Sequence, residues 1–266
     1  MRLAISSDIH GNLTALEAVL EHIKTQDAVE KIFCAGDICL FGPRPRECLE
    51  LIRKQKIPSV VGNTDEWIRN PPPLSAEMDE DQKQERQNLR DWCAWTGEQL
   101  DDDLRAYLDS LCQIFERRIS PSDDSADDLL LVHANPKDLM QVIFPPEEMQ
   151  LERFGRIRQS DKDLDPLLSD VKASVLAFGH IHVPSIRIWQ QLTLVNVSSV
   201  SLPGDGDDRA KYAVLSWSKE DGWKAKHHYV GYQIESEIAA FRQHKPPGWE
   251  HRVKKLETKG SIPQIL

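Results

Sequence analysis

The sequence predicts an α/β fold, and three features carry the prediction. Over the first 60 or so residues, short apolar runs alternate with amphipathic segments of helical spacing, the order that builds parallel strands joined by helices. Apolar runs too short for helices recur at 129–132 and 174–178. The last third reads as hairpins, which adds antiparallel strands to the parallel ones.

In chain order, 2–7 is the first apolar run. In 12–23, Leu13, Leu16, Val19, Leu20 and Ile23 fall on one helical face, and Thr14 with Glu17 has the form of a capping box. Residues 31–35 are a second strand candidate, 46–54 a helix with Cys48, Leu49 and Ile52 on one face, and 57–61 a third strand. The alternation then breaks. From 67 to 128 the chain is polar and charged, opens with Pro71-Pro72-Pro73, and holds two helical stretches at 82–94 and 100–115. Leu100, Leu104, Tyr107, Leu108, Leu111 and Phe115 form an apolar stripe in the second. We read 67–128 as a helical insertion within a single domain spanning 1–266. The core resumes at 129–132, followed by a helix over 163–170 and a strand over 174–178. Strands 186–189 and 192–195 flank a turn at Gln190-Gln191, and 213–217 and 223–229 flank Asp221-Gly222. A C-terminal segment, 231–266, contains a helix at 235–242 and an irregular tail after Lys245.

Composition narrows the function classes. With 40% apolar and 29% charged residues, and only 13 Gly and 16 Pro in 266, the chain is neither disordered nor collagenous. No run approaches the roughly 18 apolar residues of a membrane span. The N-terminus reaches Asp8 too soon for a secretory leader, and five cysteines without a CxxC suit a reduced, cytoplasmic setting. A net charge of −10 disfavours nonspecific binding to nucleic acid or anionic membranes. A local site could still hold an anion through metal ions.

Five apolar runs end in residues of one chemical kind. They lead into Asp8 and His10, into Gly36-Asp37, into Gly62-Asn63-Thr64-Asp65, into His133, and into Gly179-His180-Ile181-His182. Sites in α/β sheets form at the carboxyl ends of strands, so two Asp, one Asn and four His at one edge read as a metal constellation. If Asp37 bridges two ions, these seven residues supply four bonds to each, leaving positions open for water and substrate. Any one of these motifs is commonplace; the five together, in order and each at a strand end, are not. His22, His227, His228, His244 and His251 lack that context and read as structural or solvated.

The order D-x-H, G-D, G-N-x-D, H, G-H-x-H resembles the calcineurin-like metallophosphoesterase superfamily. The segment from Ser7 to Asn12, with Gly36-Asp37 and the run from Gly42 to Cys48, is similar to its prokaryotic branch of small phosphoesterases and phosphodiesterases. The resemblance covers most of 1–66 and 129–230. It implies a four-layer αββα sandwich and a dinuclear centre. One ion would take Asp8, His10 and His182, and the other Asn63, His133 and His180. Asp37 would bridge, and Asp37, Asn63 and His133 would be the catalytic members. A hydroxide shared by the two ions would attack phosphorus in line with the leaving oxygen. A nitrogen and oxygen donor set without thiolate suits Mn, Fe, Zn, Co or Ni, with zinc and manganese or iron leading.

The sequence departs from the family pattern in two places. Many phosphatases of the superfamily carry His directly after the Gly-Asn ligand, whereas here the residue is Thr64, whose hydroxyl is too weak an acid to protonate a leaving group near neutral pH. The run Asn196-Val197-Ser198-Ser199-Val200-Ser201 stands where the branch reads Asn-Pro-Gly-Ser-Val-Gly, and its extra side chains are expected to narrow the mouth of the site. Arg44, Arg46 and Thr64 are candidate substrate contacts, with a solvated loop as the alternative for the two arginines. Cys39 reads as core, and Trp67, Trp92 and Trp95 as a helical packing face or a lid. The function expected is a phosphoesterase acting on phosphodiesters or nucleotide-like small phosphates. A dinucleoside polyphosphate hydrolase stays open beside it. A Ser/Thr protein phosphatase is disfavoured by Thr64, and a non-enzymatic interaction scaffold by retention of all seven ligands. The partner expected is a small phosphorylated substrate, and homo-oligomerisation is left open.

Overall fold

A computed structural model describes residues 1–26 and 28–258. The chain begins with β1 (Arg2–Ser6), α1 (Leu13–Lys24), β2 (Lys31–Cys34) and α2 (Pro45–Lys54), then runs through α3 (Asn63–Arg69), α4 (Glu80–Glu98) and α5 (Asp102–Leu111). It continues with β3 (Arg117–Ile119), β4 (Leu129–Leu131), α6 (Glu147–Phe154), α7 (Asp165–Leu168), β5 (Val175–Phe178), β6 (Ser185–Trp189) and β7 (Leu192–Asn196). The long hairpin β8 (Ala210–Ser218) and β9 (Gly222–Val230) precedes α8 (Ile234–His244) and α9 (Trp249–Glu257).

Two sheets result, in strand orders β2-β1-β8-β9 and β3-β4-β5-β7-β6. β1 pairs parallel with β2 and antiparallel with β8, while β4, β5 and β7 run parallel. The period-two alternation of the strands decides what each face meets. Leu3 and Ile5 point between the sheets with Leu129, Leu131, Val175 and Leu215. Ala4, between them, faces outward to Leu16 of α1, Leu49 of α2 and Leu104 of α5. Across the molecule Leu130 turns outward to Leu164, Leu167 and Leu168. Each fully buried leucine contributes on the order of 1.5–3 kcal/mol. The outcome is helix, sheet, sheet, helix: the four-layer αββα sandwich.

Several local expectations are revised. Residues 57–61 are extended but form a single bridge, Cys34 to Ser59, because Pro58 has no N–H and the Val61 N–H bonds to Ile114 instead of to a neighbouring strand. The cap of α1 is Asn12, whose side chain accepts the Ala15 N–H, while Thr14 donates its hydroxyl to Glu237. The helix expected at 163–170 is a 3₁₀ turn, Asp161–Leu164, followed by the single turn α7. The stripe buries Leu100, Leu104, Leu108 and Leu111, but α5 stops at Leu111, before Phe115. The stretch after Lys245 is irregular only to Gly248, after which α9 begins. α9 forms because Val253 and Leu256 pack on Leu40, Trp92 and Phe241. Residues 259–266 of the expected tail lie outside the described residues.

Candidate metal centre

The candidate ligands gather where strands stop. Asp8 and His10 follow β1, Asp37 follows β2, His133 follows β4, and His180 and His182 follow β5. Asn63 arrives differently, as the first residue of α3. Asp8, His10, Asp37, His180 and His182 all adopt positive φ, from 48° to 67°. L-residues occupy that region at a cost of order 1–2 kcal/mol each, which the surrounding loops must offset. The loops meet so closely that side chains are excluded at Gly62 and Gly179: a Cβ on Gly62 would fall on Asp37 Oδ1, and one on Gly179 on Ser7 Oγ and Asp8 Oδ2.

Backbone carbonyls fix the imidazoles. His10 Nδ1 donates to Leu40 O at 2.9 Å, His133 Nδ1 to Ala35 O at 2.7 Å, and His182 Nδ1 to Leu202 O at 2.6 Å. A carbonyl only accepts, so each ring must carry its proton on Nδ1 and turn Nε2 to the centre. His180 is the mirror case, with Nε2 donating to Met140 O at 3.0 Å, which leaves Nδ1 as its free nitrogen. The His180 ring lies 5.1 Å from the His133 ring, centroid to centroid.

Those nitrogens converge on carboxylates and on one another. His182 Nε2 lies 3.0 Å from Asp8 Oδ1 and 3.4 Å from His10 Nε2. His133 Nε2 lies 2.8 Å from Asn63 Oδ1 and 3.5 Å from Asp37 Oδ2. The same Asp37 oxygen is 3.8 Å from His10 Nε2, so it faces both clusters. The other Asp37 oxygen accepts the Thr64 N–H at 2.9 Å, and Asp8 Oδ2 accepts the His180 N–H at 3.0 Å.

Acceptors face each other where His182 Nε2 meets Asp8 Oδ1 and where His133 Nε2 meets Asn63 Oδ1, contacts that positive charge between them would satisfy. Burial pushes Asp8 up, but the adjacent His182 imidazole holds it well below the usual carboxylate range. Burial and the charge of His182 depress His10 to about 3, and burial with His133 depresses His180 to about 4. His133 and His182 resist burial and are raised, chiefly by Asp37 and by Asp8 respectively. Divalent cations would supply that positive charge. The residues therefore fit divalent ions. Asp8, His10 and His182 form one group whose donor atoms could grip a single ion, and Asp8, Asp37 and His133 another.

Asp65, the last residue of the Gly62-Asn63-Thr64-Asp65 motif, has a role that the motif alone does not reveal. Its buried carboxylate accepts the N–H groups of Asp37 at 2.8 Å, Ile38 at 2.9 Å and Gly62 at 3.1 Å, tying the Asp37 loop to the start of α3. The spacing G-N-x-D was the available signal. The Asn196–Ser201 stretch is also supporting structure: Ser199 Oγ donates to Asp8 O and Ser198 Oγ to His182 O, both from buried positions. Ser198, an extra side chain relative to the family pattern, thus points into the scaffold, whereas Ser201, the other extra serine, lines a pocket beside the cluster. Arg44 and Arg46 are not brought to the cluster. Arg44 pairs with Glu237 and Thr14, and Arg46 with Glu50 and Asp101. Cys39 is core, with its thiol toward Pro45 O. Trp92 packs edge-on against Phe41 and Trp95.

A family model, the calcineurin-like phosphoesterase superfamily domain, matches residues 1–220. An uncharacterized protein of Methanocaldococcus jannaschii is 30% identical over 254 residues, 93% of this chain and 94% of that protein. A metallophosphoesterase structure from Sphaerobacter thermophilus is similar at 27% identity and TM-score 0.68, covering 97% of this chain and 100% of that one. A hypothetical protein from Pyrococcus horikoshii OT3 shares the fold at TM-score 0.74 and 20% identity, covering 98% of this chain and 99% of its own.

Proposed function

The chain belongs to the calcineurin-like phosphoesterase superfamily, and on that premise we propose that it hydrolyses phosphodiesters or nucleotide-like small phosphates at a centre for two divalent ions. Asp8, His10 and His182 would hold one ion, and Asn63, His133 and His180 the other, with Asp37 between them. The observation that carries this reading is the position of Asp37 Oδ2, within 3.8 Å of His10 Nε2 and 3.5 Å of His133 Nε2, where one carboxylate oxygen addresses both groups. Manganese, iron, zinc, cobalt and nickel all suit the donor set, zinc and manganese or iron foremost. When bound, such ions lower the pKa of a water and neutralise phosphoryl oxygens.

The chain's own residues do the positioning. The three carbonyl anchors stop His10, His133 and His182 from rotating, and the Thr64 N–H holds the second Asp37 oxygen. Thr64 itself cannot release a proton to a departing alkoxide near neutral pH, which favours substrates with good leaving groups. We read 67–128 as an insertion in a single domain, and the protein as cytoplasmic; among the described residues no helix is long and apolar enough to cross a membrane. The test is to strip metals, restore each ion singly, and screen aryl phosphodiesters against phosphomonoesters and phosphoserine peptides. Diester hydrolysis restored by a divalent ion supports the reading. Preference for the peptides over every diester would replace it with a protein phosphatase.

A further inference from the structure

Beside the cluster lies a small pocket of about 50 Å³ that the proposed chemistry leaves unused. Phe41, Leu202, Tyr232, Phe241, Arg252 and Lys255 are among its walls. It begins where the His10 and His182 group ends. The Phe41 ring lies 5.8 Å from the His10 ring, and the Leu202 carbonyl is the one that anchors His182.

Arg252 is the unusual member. Its guanidinium lies over Phe41 at 5.3 Å and over Trp92 at 5.9 Å. Among the described residues it has no carboxylate partner, whereas Arg44, Arg69, Arg187 and Arg242 each have one. Burial lowers its pKa to about 10, and its charge is among the influences that depress His10. Lys255, one turn further along α9, is lowered by burial and by Arg252, and it too has no carboxylate partner among the described residues. Two carboxylates reach the same pocket. Glu237 is taken by Arg44 and Thr14, and Asp208 forms no ion pair with either cation. Both cations are only partly buried, but Arg252 and Lys255 repel each other, and an anionic ligand between them would relieve that repulsion.

We propose that Arg252, with Lys255, receives a second, non-reacting phosphate of the substrate, so that the preferred substrates are bis- or polyphosphorylated small molecules. The inference rests on the phosphoesterase reading above for the location of the reacting phosphate. Arg252 is then a specificity-determining residue: its guanidinium rests over Phe41 and Trp92, and an incoming phosphate gains a charge-assisted contact one aromatic ring away from His10.

Two measurements test it. The first is calorimetric titration of chelator-treated protein with pyrophosphate, where catalysis and metal play no part. Saturable binding is expected, weakened about 10- to 100-fold in Arg252→Gln, the size of one charge-assisted contact. The second uses metal-loaded protein hydrolysing an aryl diester, inhibited by adenosine 3′,5′-bisphosphate or by adenosine 5′-monophosphate. The bisphosphate should inhibit the wild type more strongly, and Arg252→Gln should abolish that advantage. A purely packing role for Arg252 would change thermal stability and leave the ratio of the two inhibition constants where it was. If Arg252→Gln does not fold, Lys255→Gln carries the same test with a smaller expected loss. No binding of pyrophosphate by the wild type, or equal binding by the folded variants, overturns the proposal. Intact pyrophosphate binding with no diester hydrolysis under any metal would instead refute the phosphoesterase reading and leave the anion site standing.

Discussion

Replacing Asp65 by Ala should destabilise the metal-free protein by about 3–5 kcal/mol. The carboxylate is 1% exposed and accepts three backbone N–H groups, from Asp37, Ile38 and Gly62. Each buried donor left unpaired costs about 1–3 kcal/mol. Part is recovered, because burial and the neighbouring Asp37 push Asp65 up to about 7 and deleting the carboxylate removes that repulsion. For a chain of this size the net loss corresponds to a melting point lower by about 10 °C. Asp65→Asn keeps one acceptor oxygen but sets an NH₂ against a backbone N–H, so it should cost more than half as much as Ala. The assay is urea denaturation of chelator-treated wild type and both variants, followed by metal titration. The metal titration should show weakened affinity, because the freed loop carries Asp37. An Ala variant within about 0.5 kcal/mol of wild type, with unchanged metal affinity, would refute the role given to Asp65.

Asp37→Asn should remove most activity while thermal unfolding stays cooperative; near-wild-type turnover in the folded variant would rule out a bridging role. Thr64→His should raise turnover on poor leaving groups more than on good ones, by up to about 10²–10⁴-fold at the poor extreme. Coincident slopes of log rate against leaving-group pKa for the two proteins would show that Thr64 sets no selectivity. Burial raises Glu237 from 4.5 to about 7, against the pull of Arg44 and Thr14. The folded state therefore holds that proton more tightly than the unfolded one. The stabilisation it brings is complete below pH 4.5 and is lost as pH rises through 7. Melting curves across that range should show wild type losing stability relative to Glu237→Gln as pH rises, and a constant difference would contradict it.

The strands and their order of ligands were legible because both rest on local pattern: short continuous apolar runs in β1, β4 and β5, and motifs that each occupy fewer than about five residues. The seven ligand candidates were found that way, and the structure brings them together. What failed depended on contacts distant in sequence. Thr14 looks like a cap until Glu237, far along the chain, takes its hydroxyl. Residues 57–61 look like a strand until Ile114, not a neighbouring strand, takes the Val61 N–H. Arg44 looks like a phosphate ligand until α8 supplies a carboxylate. α9 has a mean hydropathy too low to stand out, and becomes a helix wall because Val253 and Leu256 find Trp92 and Phe241. Asp65 was visible as a residue, but its work consists of backbone hydrogen bonds, which no side-chain pattern reveals.

The most direct test of the dinuclear centre is the metal content of the reconstituted protein beside that of Asp37→Ala. Wild type should retain two equivalents of divalent ion per chain after removal of excess, and Asp37→Ala one or fewer, because the lost carboxylate faces both groups. Fewer than one equivalent in the wild type, with Asp37→Ala no different, would contradict it.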